Sequence, residues 1–109
     1  MTMKSATISL GGARERAIGE VRRIVLNSLG PRRAQVLLVG SSVHGNLHRR
    51  SDIDVAIDPI DPVPDLVFSQ IRNALDESEV PYRVDVFDLS RLNDEYRTSL
   101  MAGAVSWVP

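Results

Sequence analysis

Residues 34–58 read AQVLLVGSSVHGNLHRRSDIDVAID, and this stretch decides the fold. It begins with a short apolar run, Ala34–Val39, followed by glycine, which is typical of a buried strand. Residues 52–58 alternate between polar and apolar side chains, which indicates a second strand with one apolar face. Only residues 40–51 separate the two strands, which is tight for a parallel crossover containing a full helix. We therefore predict a small mixed sheet of the α/β (α+β) class, with its helices on one side.

The sequence on either side of this stretch adds helices and further strands. Apolar residues at helical spacing predict a helix before Gly30 and Pro31, which form a stop signal, and another after the proline-rich turn. Asn93 is a typical N-cap for a last helix, and Gly103 is a typical residue to close it. The predicted order is helix 13–29, strand 34–39, strand 52–58, helix 65–78, strand 82–88, helix 93–103 and strand 105–108. We expect residues 1–109 to form one domain, with residues 1–12 irregular.

Composition excludes several classes of chemistry. The chain has 109 residues, of which 43% are hydrophobic, and no cysteine. Without cysteine there are no disulfides, thiolate metal ligands or thiol nucleophiles. No apolar run of about 18 residues and no signal peptide are present, so we expect a cytoplasmic protein without a membrane span.

Charge is distributed unevenly along the chain, although the net charge is only −1. Residues 1–50 carry nine cationic and two acidic side chains, and residues 51–109 carry four cationic and twelve acidic ones. Such a contrast is compatible with a basic face for a phosphate-bearing or acidic partner. The arginines of the first predicted helix, Arg14, Arg16, Arg22 and Arg23, are expected to be solvated or to dock such a partner. We expect no membrane binding and no direct binding of nucleic acid.

The second strand carries the most informative chemistry. Alternation places Asp52 and Asp54 on the same face, about 6–7 Å apart at their Cα atoms. Aspartate is depleted in strands, so two on one face require a reason. Their carboxylates can converge on Mg²⁺, which prefers oxygen ligands, and so serve phosphoryl or nucleotidyl transfer. Solvent-facing alternation is the alternative interpretation of this pattern.

Two further segments complete a candidate site. Gly40 lets the backbone approach a ligand closely at the end of the first strand, and Ser41 adds a hydroxyl beside N–H groups that suit phosphate. Asp85 interrupts an apolar strand, and it could complete the metal site or accept the proton of an attacking hydroxyl. Alternatively, Asp85 pairs with Arg83 or Arg97 and is structural.

These motifs carry a family resemblance. Gly40-Ser41, ten residues and then Asp52-Ile53-Asp54 resemble the GS-x10-D-x-D signature of the DNA polymerase β-type nucleotidyltransferases. Within that superfamily, this short chain resembles the minimal nucleotidyltransferases. These are the antitoxins of HEPN/MNT toxin–antitoxin pairs. Val84-Asp85-Val86 is similar to the strand that bears the third acidic residue of that family, and the resemblance covers about residues 13–108.

The resemblance implies a polymerase β-type nucleotidyltransferase fold and a Mg²⁺-dependent transfer of AMP from ATP to a hydroxyl. In the antitoxin subgroup the acceptor is a tyrosine of the cognate HEPN ribonuclease toxin, with which the chain is expected to form a hetero-oligomer. The implied catalytic and metal-binding residues are Asp52, Asp54 and Asp85. The implied nucleotide-binding residues are Gly40, Ser41 and Ser51.

Other interpretations remain open at this point. The chain could be a binding module that neutralises a partner without catalysis, or a nucleotidyltransferase that acts on a small molecule or on RNA. Asp58 and Asp88 are expected to be turn formers or caps. The sequence assigns no role to four basic residues that depart from the family pattern or lie near it: His44, His48, Arg49 and Arg50.

Overall fold

The computed structural model describes residues 2–39 and 52–107, with side chains of the first helix described from Gly12 onward. The elements are α1 (Thr2–Leu29), β1 (Ala34–Val39), β2 (Ile53–Pro59), α2 (Asp65–Glu77), β3 (Val84–Asp88), a 3₁₀ turn (Leu89–Arg91), α3 (Asp94–Met101) and β4 (Val105–Ser106). Helix α1 begins at Thr2 and so includes most of the stretch 1–12 that we expected to be irregular. No proline precedes Pro31, so the sequence holds no residue that forces an earlier break. No helix in the described ranges is long and apolar enough to cross a membrane.

The four strands form one mixed sheet in the order β3-β2-β1-β4, which confirms the predicted mixed sheet. Strand β1 is antiparallel to both β2 and β4, whereas β2 and β3 are parallel. With this topology the C-terminal end of β1 lies beside the N-terminal ends of β2 and β3. We call this region the acidic end of the sheet, because Asp54 and Asp85 lie there.

One face of the sheet packs against α1 and α2. The alternate residues Ile53, Val55 and Ile57 of β2 are fully buried in this core. They meet apolar stripes on the two helices, which include Val21 and Val25 of α1 and Val67, Phe68, Ile71 and Leu75 of α2. Full burial of each such aliphatic side chain contributes roughly 1.5–3 kcal/mol, so this face holds most of the hydrophobic stabilisation.

The opposite face is also covered, which corrects the prediction of helices on one side only. A second core joins Leu37, Val39 and Ala56 of the sheet to Leu89 of the 3₁₀ turn and Leu100 of α3. Strand β1 is apolar at consecutive positions rather than alternating, and that pattern is typical of a strand buried on both faces. Helix α3 therefore packs on the same face that carries Asp54.

The predicted helix ends are confirmed in detail. Gly30 has a φ of 63°, and its N–H donates to the Leu26 carbonyl at 3.1 Å, which ends α1 in a left-handed cap. The Asn93 side chain accepts from the Tyr96 N–H at 2.8 Å and so caps the start of α3. Gly103, with a φ of 77°, follows the end of α3. These caps fix the lengths of the helices that cover the two faces.

Candidate active site

The sheet register brings two acidic residues side by side. Asp54 of β2 pairs with Asp85 of β3, and Val39 at the end of β1 pairs with Asp54 from the other side. Neighbouring strands lie about 4.8 Å apart, and residues in register project to the same face. Asp54 and Asp85 therefore form an adjacent pair of carboxylates at the acidic end of the sheet.

Asp54 is fully buried, with 0% of its surface exposed. Burying a carboxylate costs free energy unless the group is hydrogen-bonded, paired or bound to a metal. Within the described parts of the chain, no buried side-chain oxygen lacks a hydrogen-bond partner, so Asp54 is accommodated rather than orphaned. A buried acid on a central strand, beside a second acid, makes Asp54 a candidate for a chemical role.

Asp52 lies one residue before β2 and is held there through its main chain. Its N–H donates to the Arg83 carbonyl at 2.9 Å, and its own carbonyl accepts from Nη2 of Arg14 at 2.9 Å. Its Oδ2 accepts from the Arg83 N–H at 3.2 Å. Asp52 is exposed, in contrast to Asp54. Because β2 begins at Ile53, Asp52 lies just outside the strand, and the shared face expected for Asp52 and Asp54 stays a prediction.

The described acidic residues form an adjacent pair rather than a cluster of three. Across residues 2–39 and 52–107 no three acidic or histidine side chains lie close enough together to hold a metal ion. Asp52 lies outside the paired part of β2, and its Oδ2 accepts from the Arg83 N–H. Mg²⁺ in nucleotide enzymes is usually bound by one or two carboxylates, and substrate phosphates supply further oxygens. The adjacent pair of Asp54 and Asp85 matches that donor set.

Asp85 does not take the structural roles that the sequence left open. Arg97, one of its two candidate partners, instead donates from Nη2 to Asp58 Oδ2 at 3.0 Å. Asp85 is exposed and forms no ion pair or side-chain hydrogen bond with the other described residues. It also lines a shallow cavity of about 420 Å³ along the outer edge of β3. Its carboxylate is therefore accessible to a ligand or an acceptor group.

The remaining acids near the sheet are structural, as predicted. Asp58 pairs with Arg97, whose Nη1 also donates to the Leu89 carbonyl at 3.2 Å, so this pair ties α3 to β2. Asp88 accepts from the Ser90 N–H at 3.0 Å and caps the 3₁₀ turn. Both contacts help to hold α3 over the face that carries Asp54.

Several residues singled out in the sequence lie outside the described residues. They are Gly40, Ser41, His44, His48, Arg49, Arg50 and Ser51, so the nucleotide-binding roles of Gly40, Ser41 and Ser51 stay predictions. In sequence, Gly40 directly follows Val39, and Ser51 directly precedes Asp52. Val39 and Asp52, the described neighbours of these residues, lie at the acidic end of the sheet.

One residue that contacts the site, Arg14, was not among the predicted site residues. We expected Arg14 to lie on the solvated face of α1, yet its guanidinium reaches the Asp52 carbonyl and lies 5.6 Å from the centre of the Tyr82 ring. The signal was its spacing, because Arg14 lies four residues before Ile18 and seven before Val21. That spacing extends the apolar stripe of α1 rather than its polar face.

This chain is similar to proteins of one known family. Residues 18–99 match the nucleotidyltransferase domain family. Over 58 residues the chain is 34% identical to the probable protein adenylyltransferase MntA of Haemophilus influenzae, an alignment that covers 53% of this chain and 51% of that protein. The chain thus spans about half the length of the curated relative that it matches.

Two solved structures share the fold. One is a toxin-antitoxin with AMP-PNP, which is 24% identical with a TM-score of 0.58 and is aligned over 84% of this chain and 70% of its own. The other is the toxin-antitoxin MntA-HpeT with two aspartate-to-glutamate substitutions, which is 22% identical with a TM-score of 0.59 over 79% of this chain and 70% of its own. Because the family match extends over most of the sequence, this chain belongs to the nucleotidyltransferase domain family.

Proposed function

We propose that this chain transfers the AMP group of ATP to a hydroxyl of a partner protein and thereby acts as an antitoxin in the cytoplasm. The proposed acceptor is a tyrosine of a HEPN-type ribonuclease toxin, with which the single domain 1–109 forms a hetero-oligomer. One observation carries the proposal: the buried Asp54 lies in register with Asp85, at the end of the sheet where β1 leads into Gly40-Ser41.

The relatives support the acceptor class. The relative from Haemophilus influenzae is named a probable protein adenylyltransferase, and both solved neighbours are toxin-antitoxin structures. One neighbour holds AMP-PNP, an analogue of ATP. A nucleotidyltransferase with these relatives is expected to use a protein hydroxyl rather than a sugar or an RNA end.

In the proposed reaction the acceptor oxygen forms a bond to the α-phosphorus of ATP. The bond from that phosphorus to the oxygen leading to the β-phosphate breaks, and pyrophosphate leaves. Asp52, Asp54 and Asp85 are the proposed ligands of Mg²⁺, which would neutralise phosphate charge and orient the triphosphate. Asp85, the accessible carboxylate, is alternatively the group that accepts the proton of the acceptor hydroxyl. Gly40, Ser41 and Ser51 are proposed to bind the nucleotide.

The test is a transfer assay with the protein encoded beside this chain in its genome. The chain, the candidate partner, ATP and Mg²⁺ are incubated together, and the intact mass of the partner is measured. We expect an adduct of the mass of one AMP residue or a small multiple of it. The adduct should be lost with Asp54→Asn or Asp85→Asn.

The matched control is Asp58→Asn, because Asp58 lies on the same face of β2 but pairs with Arg97. This variant should still modify the partner. A partner that stays unmodified, yet is inhibited equally by the wild-type chain and by Asp54→Asn, would show a non-catalytic binding module. AMP transfer to RNA or a small molecule, with none to the partner, would show that the acceptor class is wrong.

A further inference from the structure

Arg14 joins α1 to the acidic end of the sheet. Its Nη2 donates to the Asp52 carbonyl at 2.9 Å, across 38 positions of sequence. Its guanidinium carbon lies 5.6 Å from the centre of the Tyr82 ring, which packs against the core beneath α1. A guanidinium is planar, so it can stack on a ring and donate in its own plane at the same time. Arg14 therefore contacts both chain segments that lead into the candidate site.

These two segments are themselves joined at one point. The Arg83 carbonyl accepts from the N–H groups of Asp52 and Ile53 at 2.9 and 3.1 Å. The Arg83 N–H donates to Asp52 Oδ2 at 3.2 Å. Arg83 directly follows Tyr82 and lies two residues before Asp85. The position of Asp52 relative to β3 is thus set by the junction that Arg14 contacts.

We propose that Arg14 is a positioning residue that orients Asp52, and with it the relation of Asp52 to Asp85, for binding of Mg²⁺ and the nucleotide. The inference rests on the proposed function and deepens it. Arg14 acts through the main chain of Asp52 and the ring of Tyr82, without itself contacting the phosphates. Groups that orient metal ligands from behind typically change metal affinity or activity by about 10–100-fold when they are removed.

The same helix offers a matched control for a merely structural role. Arg22 also lies on α1, and its Nη2 also donates to a distant main-chain carbonyl, that of Trp107, at 3.1 Å. The Trp107 N–H donates to the Val36 carbonyl, so this contact lies three residues along β1 from Val39 at the acidic end. Loss of either arginine removes one charged hydrogen bond between α1 and the sheet. Only the loss of Arg14 removes one that holds Asp52.

The experiment compares Arg14→Gln, Arg14→Lys and Arg22→Gln with the wild-type chain. Calorimetry measures the binding of Mg²⁺ with AMP-PNP, an ATP analogue that does not depend on an acceptor. NMR hydrogen exchange measures the protection of the Asp52, Ile53 and Arg83 amides in the free protein. Thermal unfolding of each variant reports the loss of stability that any broken contact would cause.

We expect Arg14→Gln to weaken binding of Mg²⁺ with AMP-PNP by about tenfold and to speed exchange of the Asp52 amide. Arg14→Lys should have a binding affinity between those of Arg14→Gln and the wild type. The lysine ammonium keeps the charge but cannot stack on a ring and donate in one plane. Arg22→Gln should lower the melting temperature by a similar amount and leave binding within about twofold of the wild type, because Trp107 lies outside the site.

Equal binding by Arg14→Gln and Arg22→Gln would overturn the positioning role while leaving the proposed function intact. Unchanged exchange at Asp52 in Arg14→Gln would overturn it as well. If the wild-type chain itself fails to bind Mg²⁺ with AMP-PNP, then the proposed function is wrong, and a role for Arg14 toward the nucleotide is wrong with it.

Discussion

Replacing Asp54 by asparagine should stabilise the protein when no metal is present. Asp54 is fully buried and lies in register with Asp85, so two carboxylates are close together in the metal-free state. Like charges roughly 6 Å apart repel by about 0.7–3 kcal/mol at effective dielectric constants between about 80 and 20. Asp85 is exposed, so a gain of about 1 kcal/mol is expected, which corresponds to about 4 °C in melting temperature.

The order of stabilities should reverse when the ligand is added. Mg²⁺ with AMP-PNP at about 100 times its dissociation constant stabilises the wild type by about 2.7 kcal/mol. Asparagine supplies only a neutral amide oxygen, so the variant should gain far less from the same ligand. The assay is thermal unfolding of both proteins, in EDTA and in Mg²⁺ with AMP-PNP. The variant melts higher in EDTA, and the wild type melts higher with ligand.

Asp58→Asn is the control, because Asp58 lies on the same face of β2 but pairs with Arg97 at 3.0 Å. Breaking this half-exposed pair should lower stability by about 0.5–1 kcal/mol in both conditions, without any reversal. A marked drop in the melting temperature of Asp54→Asn in EDTA would refute the reasoning. It would show that Asp54 is a structural group, stabilised by its buried hydrogen bonds more than it is destabilised by Asp85.

Three further predictions concern stability. The Arg33 guanidinium and N–H hold the pKa of Asp61 below 3.8, so Asp61→Asn should destabilise at pH 7. That deficit should persist well above the ordinary aspartate pKa and shrink as the pH falls toward the lowered pKa of Asp61, which thermal unfolding of both proteins over a pH series would check. Asn93→Ala removes the hydrogen bond to the Tyr96 N–H and should lower the free energy of unfolding, measured in urea, by about 1 kcal/mol. Ile71→Ala leaves a cavity at a fully buried position between α2 and the sheet and should lower the free energy of unfolding by about 2–5 kcal/mol. Ile71→Val should lower it by about 0.5–1.5 kcal/mol.

Most of the fold could be predicted because local signals agreed with tertiary packing. The alternation in 52–58, the stop at Gly30 and the cap at Asn93 each act within a few residues, so the sequence alone displays them. The side of the sheet on which α3 lies depends on what covers Leu37 and Val39, and these residues are distant from α3 in sequence. Their consecutive apolar run predicted a buried strand, but we expected helices on one side of the sheet only.

In the candidate site, too, local sequence predicted some features and tertiary packing set the others. Strand alternation predicted a shared face for Asp52 and Asp54, whereas in the structure β2 begins at Ile53, with Asp52 exposed and Asp54 buried. The register that places Asp85 beside Asp54 depends on the pairing of β2 with β3, which no local pattern specifies. The contact of Arg14 with Asp52 spans 38 positions, so only the folded chain reveals it.

The most direct test of the account uses ATP labelled at either the α- or the γ-phosphate, with the chain, Mg²⁺ and the candidate partner protein. Nucleotidyl transfer predicts that the α-label becomes covalently attached to the partner while the γ-label leaves as pyrophosphate, and that neither label is transferred by Asp54→Asn. Attachment of the γ-label would show phosphoryl transfer instead. Attachment of neither label to a partner that is nevertheless inhibited by the chain would contradict catalysis by the acidic end of the sheet.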